Sequence, residues 1–167
     1  MKISVIIPTL NEESHIEKTL QSVTKQDGDY EFSVVDGGST DNTVTIAKRY
    51  TTVINSQRGR AIQMNTGAKA CGGDILLFLH ADTILPDNAF REIRKRMKDD
   101  TLAGGSFYIA FDADTFILRG VSFITRFNFR LFHFGDQGIF VRRSIFQTLL
   151  GYKEMPIMED YDFYKRL

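Results

Sequence analysis

Five short segments carry polar side chains whose types and spacing can do chemistry. They are Pro8-Thr9-Leu10-Asn11-Glu12, Asp36-Gly37-Gly38-Ser39-Thr40-Asp41, His80-Ala81-Asp82, Gly135-Asp136-Gln137 and Met158-Glu159-Asp160-Tyr161-Asp162. In the second, two glycines allow a tight backbone path and close ligand approach, and the helix expected after it would offer N–H donors. Asp36 can accept hydrogen bonds from a base or ribose there; the same residues also suit a plain turn with an Asp cap. The segment is neither G-x-G-x-x-G nor a Walker A loop, which weighs against dinucleotide and P-loop readings. His80 and Asp82 follow an apolar run and lie two apart, so on an extended segment they point to one side. They can then share a divalent metal, Mg2+ or Mn2+ by the oxygen ligand, with the imidazole tilting the choice to Mn2+. Alternatively, Asp82 caps a turn before Pro86 while His80 packs. Glu159, Asp160 and Asp162 read either as the acidic first turn of a helix or as the seat of a general base for a hydroxyl nucleophile. Arg58 and Arg60 flank Gly59, as solvated charges or as donors that clamp a diphosphate.

The elements that must position these residues alternate. Residues 3–7 form a β-branched run, read as a buried strand. Residues 11–25 carry Ile16, Leu20 and Val23 at helical spacing, with Asn11 as the N-cap. A strand over 30–35, a helix opening at Thr40 or Asp41 and running to 50, and a strand over 52–55 follow. Residues 59–70 suit a helix, 75–79 form the clearest strand, and 87–98 form an amphipathic helix. Such alternation implies βαβ units and a mostly parallel sheet, whose ligands sit at the carboxyl ends of the strands. Beyond about residue 102 the pattern changes: a strand over 103–111, an aromatic and basic stretch over 115–134, a strand over 137–142, a short helix over 144–150 and a helix from about 159. Pro8, Pro86 and Pro156 each fall near an expected element boundary.

Composition limits the function classes. With 167 residues, 43% hydrophobic, the chain suits one domain with a proper core. Its 21 basic and 21 acidic side chains cancel, so the basic excess of a nucleic-acid binder is missing. A single cysteine, Cys71, excludes an internal disulfide framework and favours a reducing, cytoplasmic setting. No apolar run reaches the ~18 residues of a membrane span.

Taken together, SVIIPTLNEE, VVDGGSTDNT, RGRAIQMNTGA, GDILLFLHADT and GDQGIFVRR followed by MEDYDF resemble the family 2 glycosyltransferases, in that order and over nearly the whole chain. The HADT, GDQG and MEDYDF spellings look most like a bacterial subgroup connected with arsenosugar biosynthesis. The resemblance implies a GT-A-like three-layer α/β fold, with a nucleotide site at the carboxyl ends of a mostly parallel sheet. It implies an inverting, metal-assisted transfer of a sugar from a nucleotide-diphosphate sugar, with UDP the default carrier, to an acceptor hydroxyl. Thr9 and Glu12 would lie near the nucleotide and Asp36 on the base or ribose, with Gly38, Ser39, Arg60, Asn65 and Ala81 also on the donor side. Asp82 matches the last acid of the family's D-x-D motif, which holds the metal. Asp160 matches the acid of its E-D motif, the general base. Gly135, Asp136 and Gln137, with Glu159, would line the donor-sugar and acceptor side. Residues 1–100 would then bind the donor, and 101–167 would form the acceptor half of one domain that the family usually continues past this C-terminus.

Two departures stand out. His80 occupies the place of the family's first metal-binding acid. Met64 precedes Asn65 where many members have Arg, and Arg60, one helical turn earlier, can supply that charge. The absence of Trp excludes the Q-x-x-R-W motif of processive synthases. A nucleotidyltransferase would want basic residues after the first strand, where this chain has acids; a non-catalytic nucleotide-binding or regulatory domain is the other alternative. The stretch from Phe107 to Phe140 holds nine of the 14 phenylalanines. Its periodicity predicts an amphipathic helix within 115–133, read as a core face, a homodimer seam or a peripheral membrane contact.

Overall fold

The computed structural model describes residues 1–107, 138–155 and 157–167. Six strands, β1 (Ile3–Thr9), β2 (Tyr30–Asp36), β3 (Thr52–Asn55), β4 (Ile75–Phe78), β5 (Gly104–Ser106) and β6 (Ile139–Arg142), form one sheet in the order β3-β2-β1-β4-β6-β5. The first four pair in parallel, as the alternation of strands and helices requires. β6 runs antiparallel to β4, and β5 antiparallel to β6. The chain steps outward from β1 to β2 and β3, then crosses back to place β4 on the other side of β1. Where strand order reverses, the connecting segments part and leave a crevice at the carboxyl ends.

The helices α1 (Ile16–Thr24), α2 (Thr43–Ala47), α3 (Arg60–Ala70), α4 (Ala89–Arg96), α5 (Arg143–Thr148) and α6 (Glu159–Arg166) cover both faces. Side chains alternate across a strand, so β1 feeds two cores. Ile3, Val5 and Ile7 pack with Leu20 of α1 and Phe90 and Ile93 of α4. Ile6 packs with Met64 of α3, Phe146 of α5 and Phe163 of α6. The result is the expected three-layer α/β fold. Gly67 sets the spacing of α3: a Cβ there would lie 2.4 Å from Ile6 Cγ2 and 2.9 Å from Val35 Cγ2.

Several boundaries differ from the sequence expectation for identifiable reasons. Pro8 lies inside β1, not at its edge. The Ile6 carbonyl accepts from Leu79 N–H at 3.0 Å, so alternation turns Pro8 toward β4 as well, two residues past the last β1–β4 pair. Its missing N–H therefore costs no ladder bond. Asn11 does not cap α1. It adopts a left-handed φ of 57°, and its side-chain oxygen accepts from Thr40 N–H at 2.8 Å, while a turn over Glu12–His15 precedes the helix. The helix expected from Thr40 or Asp41 begins only at Thr43, whose N–H donates to Asp41. α6, too short to persist alone, is held by fully buried Phe163 and by an Asp162–Arg166 pair at 2.7 Å. The helix expected within 115–133, most of the strand's far end at 108–111, and Gly135, Asp136 and Gln137 lie outside the described residues.

Candidate active site

A cleft of about 370 Å³ opens at the strand-order reversal. Pro8, Thr9, Leu10 and Glu12 line it from the end of β1, Arg58, Gly59, Arg60 and Gln63 from the start of α3, and His80, Ala81 and Asp82 from the end of β4. Two of the five chemistry-bearing segments read from the sequence, and the arginines beside Gly59, thus face one space.

Buried polar residues of α1, and Gln26 just past its end, fix the β4 end of the cleft. Thr19 donates its hydroxyl to the Ala81 carbonyl at 2.7 Å. Ser22 accepts from Leu85 N–H at 3.0 Å, and Gln26 donates to the Pro86 carbonyl at 2.8 Å. The segment from 81 to 86 is therefore tied to a helix rather than free. A hydrogen bond from Thr83 N–H to the His80 carbonyl, 3.2 Å, makes residues 80–83 a turn. The same-side rule for residues two apart applies to extended chain and so does not hold across this turn, although His80 and Asp82 both line the cleft. Among the described residues no group of three or more His, Cys, Asp and Glu side chains is arranged to hold a metal ion. Asp82 itself is exposed on the cleft.

The His80 ring instead meets Arg60 and Asp160. Arg60 Nη1 lies 3.4 Å from Nδ1 and 3.5 Å from Nε2, and Nε2 lies 3.8 Å from Asp160 Oδ2. Arg60 Nε donates to Glu159 Oε1. Glu159 is 2% exposed and Asp160 6%. A buried carboxylate persists only when paired, and Arg60 pairs Glu159. Asp160 Oδ2 makes no hydrogen bond among the described residues, nor does the buried Tyr152 hydroxyl. Burial above all, and then the charges of Asp160 and Glu159, push the Tyr152 phenol well above its usual pKa.

The loops after β1 and β2 are stitched together. Asp36 accepts from the N–H groups of Gly38 and Ser39, each at 2.9 Å, and from the Ser39 hydroxyl, which in turn accepts from Asn11 N–H. Both carboxylate oxygens of Asp36 thus shape its own loop, and the residue does not line the cleft. Gly38 takes φ 96°, which a side chain would resist. Glu12 N–H donates to the Thr43 hydroxyl at 2.7 Å. Asn65 clamps Tyr152, donating to its carbonyl at 2.8 Å and accepting from its N–H at 2.9 Å. That pairing employs the amide in holding the segment before α6, not in facing the cleft.

Sequence reasoning passed over Gln63. Its buried amide nitrogen donates to the carbonyls of Thr9 and Val35, both at 2.8 Å, and so joins the ends of β1 and β2 beneath the cleft. Its place in RGRAIQMN, one turn after Arg60, was the only signal available.

Known proteins share the family and the fold. The family described as Glycosyl transferase family 2 matches residues 4–150. A PGL/p-HBAD biosynthesis glycosyltransferase of Mycobacterium tuberculosis is 31% identical over 182 aligned residues, covering 96% of this chain and 67% of the relative. The mannosyltransferase PcManGT from Pyrobaculum calidifontis, solved with GDP-Man and Mn2+, shares the fold with a TM-score of 0.73 at 25% identity, over 91% of this chain and 47% of that one. TarS of Staphylococcus aureus shares it with a TM-score of 0.80 at 21% identity, over 99% of this chain and 33% of that one. The chain thus spans half or less of these two solved chains. Family match, relative and fold agree: this chain belongs to glycosyltransferase family 2.

Proposed function

We propose that the chain forms the donor site and base of an inverting glycosyltransferase acting on a nucleoside-diphosphate sugar. One observation carries the reading: Asp160, buried and with an oxygen that lacks a hydrogen-bond partner among the described residues, lies against His80, whose ring also meets the cleft residue Arg60. A buried carboxylate with spare acceptor capacity is what proton removal from an alcohol needs. The acceptor oxygen attacks the anomeric carbon, its proton passes to Asp160, and the bond to the diphosphate breaks with the electron pair leaving on the phosphate. One displacement inverts the anomeric centre. Arg60 brings positive charge to the side of the cleft where the leaving diphosphate gathers negative charge.

The donor set fits a weakly held divalent ion. Asp82 offers one exposed carboxylate at the cleft, and Mg2+ or Mn2+ commonly takes one or two protein carboxylates and completes its shell with phosphate oxygens and water. When bound there, the ion would supply neutralising charge to the diphosphate. The complex of PcManGT with GDP-Man and Mn2+ supports this reading. The HADT and MEDYDF spellings support the finer placement beside the arsenosugar-linked subgroup.

Hydrolysis and transfer from a panel of UDP-, GDP-, dTDP- and CDP-sugars with Mn2+ tests the proposal. Asp160→Asn should retain donor binding and lose turnover, because the proton moves only in the transition state. Asp82→Asn should lose Mn2+-dependent thermal stabilisation by the nucleoside diphosphate. Donor affinity lost in Asp160→Asn, with turnover intact at saturation, would refute the base assignment.

A further inference from the structure

We propose that Tyr152 is a positioning residue for Asp160: its hydroxyl donates to the Asp160 carboxylate when substrate is bound, and so aims the group that takes the acceptor's proton. The inference rests on the reading of Asp160 as the base. The two side chains are both buried, Tyr152 2% exposed and Asp160 6%. Neither the Tyr152 hydroxyl nor Asp160 Oδ2 makes a hydrogen bond among the described residues. A phenol has an O–H to donate and an ionised carboxylate has only acceptors, so each offers what the other lacks. A buried hydroxyl without a partner costs free energy, and a phenylalanine of nearly the same shape would avoid that cost. Folding alone therefore gives no reason for this oxygen.

Packing brings the two together. Asp160 and Phe163 lie three apart on α6 and share its buried face. The Tyr152 ring lies against Phe163, with 4.5 Å between centroids, and meets Phe78 at the end of β4 edge-on at 4.9 Å. Among the charges that act on the phenol, that of Asp160 comes first; with burial it keeps the group protonated, so the O–H is there to donate. Tyr152 is also held still. Asn65 engages both its N–H and its carbonyl, and Phe146 stands against its ring at 5.8 Å. The carboxylate turns far more easily, because the terminal torsion of an aspartate has broad wells. A rigid donor beside a mobile acceptor fixes the acceptor. Catalytic hydrogen bonds are often long or unmade before substrate binds and tighten in the complex. A carboxylate held through one oxygen presents the other in a set direction, which proton removal from a bound hydroxyl requires.

Tyr152→Phe removes the oxygen and keeps the ring, and two measurements on it decide the matter. With the sugar-nucleotide panel and Mn2+, kcat should fall about tenfold or more while the donor KM stays in place. The urea midpoint of the free protein should stay the same or rise, because a hydroxyl unpaired in that state has been removed. A hydroxyl that serves only the fold gives the reverse pattern, a lowered midpoint with kcat intact, and that result overturns the proposal. So does an unchanged kcat at an unchanged midpoint, or a loss confined to the donor KM. Asp160→Asn, assayed alongside, keeps the two readings apart. Turnover lost in Asp160→Asn but intact in Tyr152→Phe removes only the role of Tyr152. Turnover intact in Asp160→Asn removes the base reading, and the role of Tyr152 falls with it.

Discussion

Gln63→Glu changes almost no volume, yet the structure predicts a large effect. The amide nitrogen of Gln63 donates to two carbonyl oxygens, of Thr9 and Val35, at 2.8 Å each. A carboxylate places an acceptor against those two acceptors. Two hydrogen bonds are lost, each contributing about 0.5–1.5 kcal/mol net, and a charge is left buried, costing a further 1–3 kcal/mol or so. The expected loss is about 3–4 kcal/mol at neutral pH, or roughly 10 °C in Tm for a chain of this size. Gln63→Met keeps the volume without the charge and should lose about 2 kcal/mol, the hydrogen bonds alone. The pH dependence adds a sign. Facing two oxygens in a buried site, the introduced carboxyl has its folded-state pKa raised above the unfolded value. The charge penalty is therefore full above the folded pKa and shrinks as pH falls through it, when one O–H can donate again. Urea denaturation of the three proteins across a pH series reads all of this. A Gln63→Glu loss below about 1 kcal/mol, or a gap that widens in acid, would refute the claim that this amide joins the two strand ends.

Three further outcomes follow from contacts away from the chemistry. Gly67→Ala places a Cβ 2.4 Å from Ile6 Cγ2, so α3 must lift from the sheet; a loss of about 1–3 kcal/mol by thermal denaturation is expected, despite alanine's better helix propensity. Glu31 tests electrostatics: burial pushes its pKa up, but hydrogen bonds from Lys2 at 2.6 Å, Ser4 at 2.7 Å and Gly72 N–H at 2.6 Å outweigh this and bring it down to about 2. Its stabilisation is present above the unfolded value near 4.5 and is lost as pH falls toward 2, so Glu31→Gln should flatten the acid limb of the stability curve and lose about 1 kcal/mol at pH 7, discounted for its partial exposure. Asn65→Ala should lose about 2 kcal/mol in urea by freeing both bonds to Tyr152, while Mn2+-dependent stabilisation by UDP or GDP remains; loss of nucleotide binding without loss of stability would restore Asn65 to the donor site.

The layered fold was legible because its signals are local. Ile75 to Phe78 is apolar throughout, and β4 is buried throughout. Ile16, Leu20 and Val23 recur at helical spacing, and all three are fully buried. Boundaries were less legible where a loop residue answers to a distant partner. Asn11 has the composition of an N-cap, but its oxygen binds Thr40, 29 residues away, and no local rule anticipates that. The antiparallel return through β6 is also non-local, since β4 pairs with β6 across more than 60 residues of sequence.

The candidate site was legible as a set of residue types and much less so as a set of roles. Asp36, Asn65 and Asp160 each carry one polar group of similar size, and the sequence gives no means of telling whether it meets ligand or backbone. Their hydrogen bonds in the structure differ. Asp36 engages both oxygens within its own loop, and Asn65 engages both amide atoms on Tyr152. Asp160 keeps an oxygen that no described residue bonds. An engaged group can be exchanged only by breaking what it holds, so its loss is felt as instability. A buried group with unspent capacity adds nothing to folding, and its desolvation has to be offset by surrounding interactions. The molecule keeps that costly arrangement at one edge of the cleft, next to His80, and this is what supports the proposal of Asp160 as the base. Substitution should separate the two kinds of residue: Asp36→Ala should lower stability by about 1–3 kcal/mol in urea, whereas Asp160→Asn should leave the urea midpoint nearly unchanged while removing turnover. A midpoint that falls as far in Asp160→Asn as in Asp36→Ala would show that Asp160, too, is a structural acid.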